Sequence, residues 1–168
     1  MEKYQRTSVN EFVQKSENQI SLFQVAEISV SYKPKFRASE RPKVNSSKMV
    51  YDILLDNWNK DTLELQEQFK VILLNRANRV LGIYEASTGG MSGTLADPKL
   101  IFSTALKTSA TAIIISHNHP SGNLKPSDAD IRITRKLIEG GKLLDIDVLD
   151  HIIVTAEGYY SFKDEGLI

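Results

Sequence analysis

Two of the three histidines in the chain, His117 and His119, stand one residue apart directly after the apolar run Thr111-Ala112-Ile113-Ile114-Ile115-Ser116. Side chains at i and i+2 of a strand leave the same face, about 6.5–7 Å apart at Cα. Two imidazoles so placed can converge on one ion through bonds of about 2.0–2.1 Å. Downstream, Pro126-Ser127-Asp128-Ala129-Asp130 opens a helix, and Asp130 precedes Ile133 and Leu137 by three and seven residues. That spacing sets the carboxylate on the core-facing stripe. An unpartnered carboxylate there is costly, so it must have a partner. Two partners qualify. Ser127 at the helix start can exchange hydrogen bonds with Asp130 in a capping box, a shorter relative of Ser-x-x-Glu, and a metal ion can take the same carboxylate. Neither excludes the other.

Two histidines and one carboxylate fill three positions of tetrahedral zinc and leave one for water, as in a catalytic site rather than a closed structural one. The chain contains no cysteine, so no thiolate can close the site. Disulfide scaffolds, Cys nucleophiles and thiolate zinc fingers are excluded as well. Hydrolysis at such a centre needs a general base that is not a ligand. Glu67 stands two residues before Phe69, where the run Phe69–Leu74 begins, and shares the pleat parity of Phe69 and Val71, while Glu85 lies in the following strand. Residue type and position do not choose between them. The third histidine, His151, stands beside Asp150 in a predicted strand. It reads either as a histidine satisfied within the sheet or as support for the metal site.

The elements that must position these groups follow from pattern and punctuation. Ser46 or Ser47 caps a helix carrying Met49, Ile53 and Leu54, with Trp58 anchoring its far end. Residues 69–74 form a buried strand that turns through Asn75-Arg76-Ala77-Asn78 into a second strand over 79–87. The segment Thr88-Gly89-Gly90-Met91-Ser92-Gly93-Thr94 is a loop. Asp97-Pro98 opens a helix whose stripe is Ile101, Phe102, Ala105 and Leu106. After the strand at 111–116 comes a helix from Asp128 to Glu139, ended by Gly140-Gly141. A hairpin closes the chain: Asp150–Thr155, a turn at Ala156-Glu157-Gly158, then Tyr159–Phe162. Interleaved strands and helices predict an α/β fold, a mixed β-sheet flanked by helices. Residues 1–45 differ in character: a short alternating stretch over Glu27–Tyr32 is followed by a polar segment broken by Pro34 and Pro42. They read as an N-terminal arm or linker, with the main domain at 46–168.

Composition bounds the function classes. The chain has 168 residues, with 21 Lys+Arg against 21 Asp+Glu. Balanced charge gives no strongly basic footprint, so direct DNA binding finds no support. Arg132, Arg135, Lys136 and Lys142 cluster on one helix, where a solvated face is the default. No apolar run approaches the ~20 residues needed to span a bilayer. The first dozen residues carry both charges and no apolar signal core. The expectation is a soluble, cytoplasmic protein.

Ser116-His117-Asn118-His119-Pro120-Ser121-Gly122, then Pro126-Ser127 and Asp130, resembles the JAMM (JAB1/MPN+) metalloprotease motif. The spacing matches at each step, with seven residues between His119 and Ser127 and two between Ser127 and Asp130. Together with Leu149-Asp150-His151-Ile152-Ile153-Val154 and Tyr159–Phe162, it is similar to the RadC-like branch of that superfamily over residues 46–168. The resemblance implies a JAB/MPN, cytidine deaminase-like architecture. It also implies Zn²⁺ held by His117, His119 and Asp130, with Glu67 rather than Glu85 as the catalytic base. Ser127 would hold the water or stabilise the oxyanion. The implied reaction is hydrolysis of a peptide or isopeptide bond in a protein substrate. The same fold serving DNA maintenance as a metal-binding module without hydrolysis is the alternative. Full-length RadC proteins carry a helix-hairpin-helix module, and residues 1–45 contain no pattern of that kind.

Overall fold

A computed structural model describes residues 31–89 and 96–168. Of the strand expected over Glu27–Tyr32, all but Ser31 and Tyr32 lie outside the described residues, as does most of the glycine-rich loop after Thr88. Five strands form one mixed sheet: β1 (Gln68–Leu74), β2 (Val80–Thr88), β3 (Ala112–Asn118), β4 (Asp147–Val154) and β5 (Tyr159–Ser161). Their spatial order is β2-β1-β3-β4-β5. β1 runs antiparallel to β2 and β3, β4 runs parallel to β3, and β5 returns antiparallel to β4. β3, which carries the first histidine, is therefore the central strand.

Every residue of β1 and β3 is buried, because alternate side chains enter two different cores. On one face, Ile72, Leu74, Ile114, Ile152 and Val154 pack beneath α1 (Ser47–Asp56), which contributes Val50, Tyr51 and Leu54. Ser46 caps α1 by accepting from the Met49 amide, and Trp58 is buried just beyond its end. A short helix, α2 (Lys60–Leu63), then leads into β1. On the other face Val71, Leu73, Ile113 and Ile115 meet α3 (Pro98–Lys107) and α4 (Asp128–Leu143) through Ile101, Phe102, Ala105 and Leu137. Asp97 caps α3 through the Lys99 amide, with Pro98 in the first turn. Leu106 leaves the expected stripe and is 55% exposed. Ile101, Phe102 and Ala105 already fill the contact with the sheet.

The turn between β1 and β2 falls at Asn75–Asn78 as its asparagines suggest. Asn78 has φ 56°, and Asn75 Oδ1 accepts from the amides of Ala77 and Arg79. The segment before α1 lies along this turn: the Val44 amide donates to Asn78 O and the Val80 amide to Pro42 O.

α4 does not stop at Glu139. It continues through both glycines to Leu143, and Asp145 supplies the left-handed residue at φ 53°. The Ile146 amide then closes on Gly141 O over 2.9 Å, the six-to-one bond of a Schellman end. The glycines serve packing instead of termination. A Cβ on Gly141 would lie 2.2 Å from Ile146 O, and one on Gly140 would lie 2.9 Å from the Phe102 ring.

Candidate metal centre

β3 runs two residues further than the apolar pattern requires, to Asn118, so His117 sits inside the sheet and His119 just past its end. His117 is 1% exposed, with its Cα opposite Phe69 on β1 and Ile153 on β4. The chain leaves the strand with the His119 amide donating to Val154 O. It then turns through Gly122 at φ 76° and returns to start α4 at Ser127. The first turn of α4 brings Asp130 beneath the two imidazoles.

The donor atoms converge. His117 Nε2 lies 2.9 Å from His119 Nε2 and 3.3 Å from Asp130 Oδ1, and His119 Nε2 lies 3.7 Å from Asp130 Oδ2. Donors around a tetrahedral ion with bonds of about 2.0–2.1 Å stand about 3.3–3.4 Å apart, so these separations suit one small cation. The hydrogen-bond chemistry points the same way. His119 Nδ1 is 2.5 Å from the carbonyl of Asn123, which only accepts, so this nitrogen carries the proton and a neutral ring leaves Nε2 bare. Burial alone would raise the Asp130 pKa, but His117, His119 and Ser127 more than reverse this and hold the carboxyl well below its usual range. Asp130 in turn raises the proton affinity of His119 against the effect of burial. His117, His119 and Asp130 are thus a group able to hold a metal ion.

The two readings of Asp130 coexist because its oxygens divide the work. Oδ2 accepts from the Ser127 amide and from the Ser127 hydroxyl, both over 2.7 Å. The Ser127 oxygen also accepts from the Asp130 amide, which completes the capping box. Oδ1 is the oxygen nearer His117 Nε2. Ser127 therefore adjoins the site through its contact with Asp130.

Glu67 and Glu85 separate clearly. Glu85 sits on the face of Trp58: it pairs with buried Lys70 over 3.2 Å, and Lys70 Nζ lies 4.7 Å from the Trp58 ring centroid. Hydrogen bonds from Thr88 and then Lys70 outweigh burial and lower its pKa. That face is opposite to His117, since Lys70 pairs with Ser116. Glu67 is half-buried, immediately before β1, and its charge reaches His119.

Two residues near this centre escape a reading for ligands. Asn118, between the histidines, points to the other face and is fully buried. Its Oδ1 accepts from the Gln68 amide over 2.7 Å, and its Nδ2 donates to Leu63 O over 2.6 Å and Gln66 O over 2.9 Å. One side chain thus holds the backbone on both sides of Glu67. The other is Thr134, 2% exposed, one turn after Asp130. Its hydroxyl is 2.6 Å from Asp130 O and 2.6 Å from His151 Nδ1.

His151, fully buried, reaches His117 Nδ1 over 2.8 Å through its Nε2. It belongs to the surroundings of the candidate ligands as well as to the sheet. Burial, and then the neighbouring His117, push its pKa well below that of a free imidazole. Phe162 stacks on it at 4.5 Å, and Phe69 lies near-parallel to His117 at 6.2 Å. The basic residues Arg132, Arg135, Lys136 and Lys142 are exposed along α4, and among the described residues no helix is long and apolar enough to cross a membrane.

Comparison with known proteins agrees with this geometry. The family model described as the RadC-like JAB domain matches residues 44–167. A UPF0758 protein of Flavobacterium johnsoniae is 48% identical over 101 residues, covering 60% of this chain and 44% of that protein. One of Alkaliphilus metalliredigens is 46% identical over 103 residues, covering 61% and 44%. One of Methanosarcina mazei is 38% identical over 133 residues, covering 79% and 57%. The chain spans about half the length of these curated relatives. The family match covers most of the chain, so the chain belongs to the RadC-like JAB domain family.

Proposed function

We propose that this chain is a zinc-dependent hydrolase of peptide or isopeptide bonds, with a peptide or protein as its substrate. The observation that carries the reading is the convergence of two imidazole nitrogens and one carboxylate oxygen, and Glu67, a carboxylate outside that set whose charge acts on His119, is the group the reading assigns as base. His117, His119 and Asp130 would hold the ion, which supplies Lewis acidity towards the amide carbonyl and acidifies water.

The chain's own groups account for the rest. Glu67 accepts a proton from the water that adds to the amide carbon and delivers it to the nitrogen as the C–N bond breaks, giving a carboxylic acid and an amine. Ser127 turns its hydroxyl from Asp130 towards the carbonyl oxygen as that oxygen gains charge. Asn118 keeps Glu67 in reach by fixing the backbone before and after it. The balanced charge and the absence of cysteine fit a soluble cytoplasmic enzyme that makes no direct contact with DNA.

The deciding experiment compares wild type with Glu67→Gln on peptides and ε-amino-linked isopeptides. The reading requires equal zinc content and loss of hydrolysis in the variant. Full activity in Glu67→Gln would remove Glu67 as the base, and no hydrolysis by zinc-loaded wild type on any such bond would favour a metal-binding module instead.

A further inference from the structure

Ring nitrogens do not reveal their protons directly, but the contacts around His117 form a closed path with one end fixed. Asp130 O is a carbonyl and can only accept. Thr134 Oγ1 lies 2.6 Å from it, a separation at which two oxygens without a hydrogen between them repel. The Thr134 hydrogen is therefore committed to Asp130 O. The lone pair of Thr134 Oγ1 is left to receive a proton from His151 Nδ1, 2.6 Å away. With Nδ1 protonated, a neutral His151 presents a bare Nε2, which must accept from His117 Nδ1 over 2.8 Å. His117 Nε2 is then bare as well, and it faces the bare His119 Nε2 at 2.9 Å and Asp130 Oδ1 at 3.3 Å, so three acceptors meet there and a shared cation is what relieves their repulsion.

We propose that Thr134 and His151 are positioning residues that hold His117 in its Nδ1–H tautomer, so that the helix turn carrying Asp130 also sets the ligating nitrogen of His117. This rests on the reading of His117, His119 and Asp130 as a metal site. The opposite polarity would place a proton on His117 Nε2, where it blocks an ion, and would leave Thr134 Oγ1 and Asp130 O facing each other without a hydrogen. The hydroxyl four residues after Asp130 biases the ring towards the binding form.

The placement follows from the fold. His151 pairs at Cα with Ile115 in the parallel β3–β4 ladder, so it shares the face and lies diagonal to His117. Thr134 follows Asp130 by four residues, which directs a helical hydroxyl back to the i−4 carbonyl. His117, His151 and Thr134 are each at most 2% exposed, so water is a poor substitute for any member of the path. Phe69 and Phe162 confine both rings.

The test uses the full chain as wild type, Thr134→Val and Thr134→Ser. Thr134→Val keeps the shape and removes the hydroxyl, and Thr134→Ser restores it. Zinc affinity is measured by competition with a chelator, and the ring tautomer of His117 by ¹⁵N NMR on metal-free and zinc-loaded protein. The expected result is zinc binding weakened about tenfold in Thr134→Val, at the lower end of what loss of a supporting hydrogen bond to a ligand costs. Thr134→Ser should return to the wild-type value. Metal-free wild type should show His117 protonated at Nδ1, and Thr134→Val should gain the Nε2–H form. A purely structural role for Thr134 would lower stability without moving the tautomer. An unchanged tautomer and unchanged affinity in Thr134→Val would overturn the proposal. Failure of wild type to bind zinc would overturn the metal reading itself, and the metal-free tautomer still reports the polarity of the path separately.

Discussion

The Gln68 amide donates to Asn118 Oδ1 over 2.7 Å, tying the first residue of β1 to the residue that separates His117 from His119. The same asparagine holds the carbonyls of Leu63 and Gln66, so the candidate base and two candidate ligands share one buried polar junction. Asn118→Ala would leave three backbone groups unpaired where water reaches poorly. Each such group costs about 1–3 kcal/mol, short of additivity. A loss of about 2–4 kcal/mol in urea-induced unfolding is expected. A change below about 0.5 kcal/mol, the range of ordinary surface substitutions, would show that the junction is not holding this backbone.

Purified wild-type protein should carry about one zinc ion per chain by elemental analysis. His119→Ala is the cleaner ligand deletion, because His119 lies at the rim and its removal leaves no closed cavity. Its zinc affinity should fall by more than the roughly 10–100-fold that losing a supporting partner costs. Chelation should lower the melting temperature of wild type and leave that of His119→Ala nearly unmoved, since only the native state of wild type gains from the ion.

Gly140 and Gly141 sit inside α4, where helix propensity alone favours alanine by about 1 kcal/mol. Gly141→Ala should do the opposite and destabilise by at least about 2 kcal/mol, because its Cβ meets the Ile146 carbonyl at 2.2 Å, an overpacking that backbone must relieve. Gly140→Ala meets the edge of the Phe102 ring at 2.9 Å, which can tilt aside, so its effect should be smaller. Thermal unfolding of the two variants checks the order. Equal or stabilising effects at Gly141 would contradict the close approach.

Asp150 gives a pH dependence with a definite sign. Its carboxylate accepts from Ser161 Oγ and from the amides of Lys163 and His151, yet burial, helped by the charge of Asp164, keeps its pKa raised. A carboxyl whose folded pKa lies above its unfolded value contributes most below the unfolded pKa and loses that contribution as pH rises through the folded one. Asp150→Asn keeps the shape and cannot ionise. Its stability relative to wild type should therefore grow on going from pH 4 upward, by at most about 1.4 kcal/mol per pH unit, and level off once Asp150 is ionised. Denaturant unfolding of both proteins across that range is the measurement, and a difference that shrinks with pH would reverse the assignment.

The candidate ligands were legible because each depends on local spacing alone. Parity along β3 pairs His117 with His119, and the helix stripe carries Asp130. Asn118 stands between the two candidate ligands without the spacing of one. Its signal was parity as well: a residue flanked by two same-face histidines must face the opposite core, and an asparagine there needs partners for all its polar groups. Thr134 left only the faint mark of a hydroxyl four residues after Asp130. The glycine pair at the end of α4 misled because termination and close packing both select glycine, and only the contact with Ile146 O separates them. Spacing alone left Glu67 and Glu85 open and the resemblance favoured Glu67; that Glu85 lies on the face of Lys70 and Trp58 is something no spacing within one strand reveals.

β3 is paired with β1 over Ala112–His117 on one side and with β4 over Ala112–Asn118 on the other, so releasing His117 means opening the middle of the sheet. His119 and Asp130 belong to the rim, on a turn and on the first turn of a helix. The three groups therefore sit on units of unequal opening free energy. Exchange of an ion should follow the cheaper route, with the turn after His119 lifting first while His117 stays seated, so that the rate of metal release tracks local opening of residues 119–130 and is insensitive to mutations that change only the global unfolding rate.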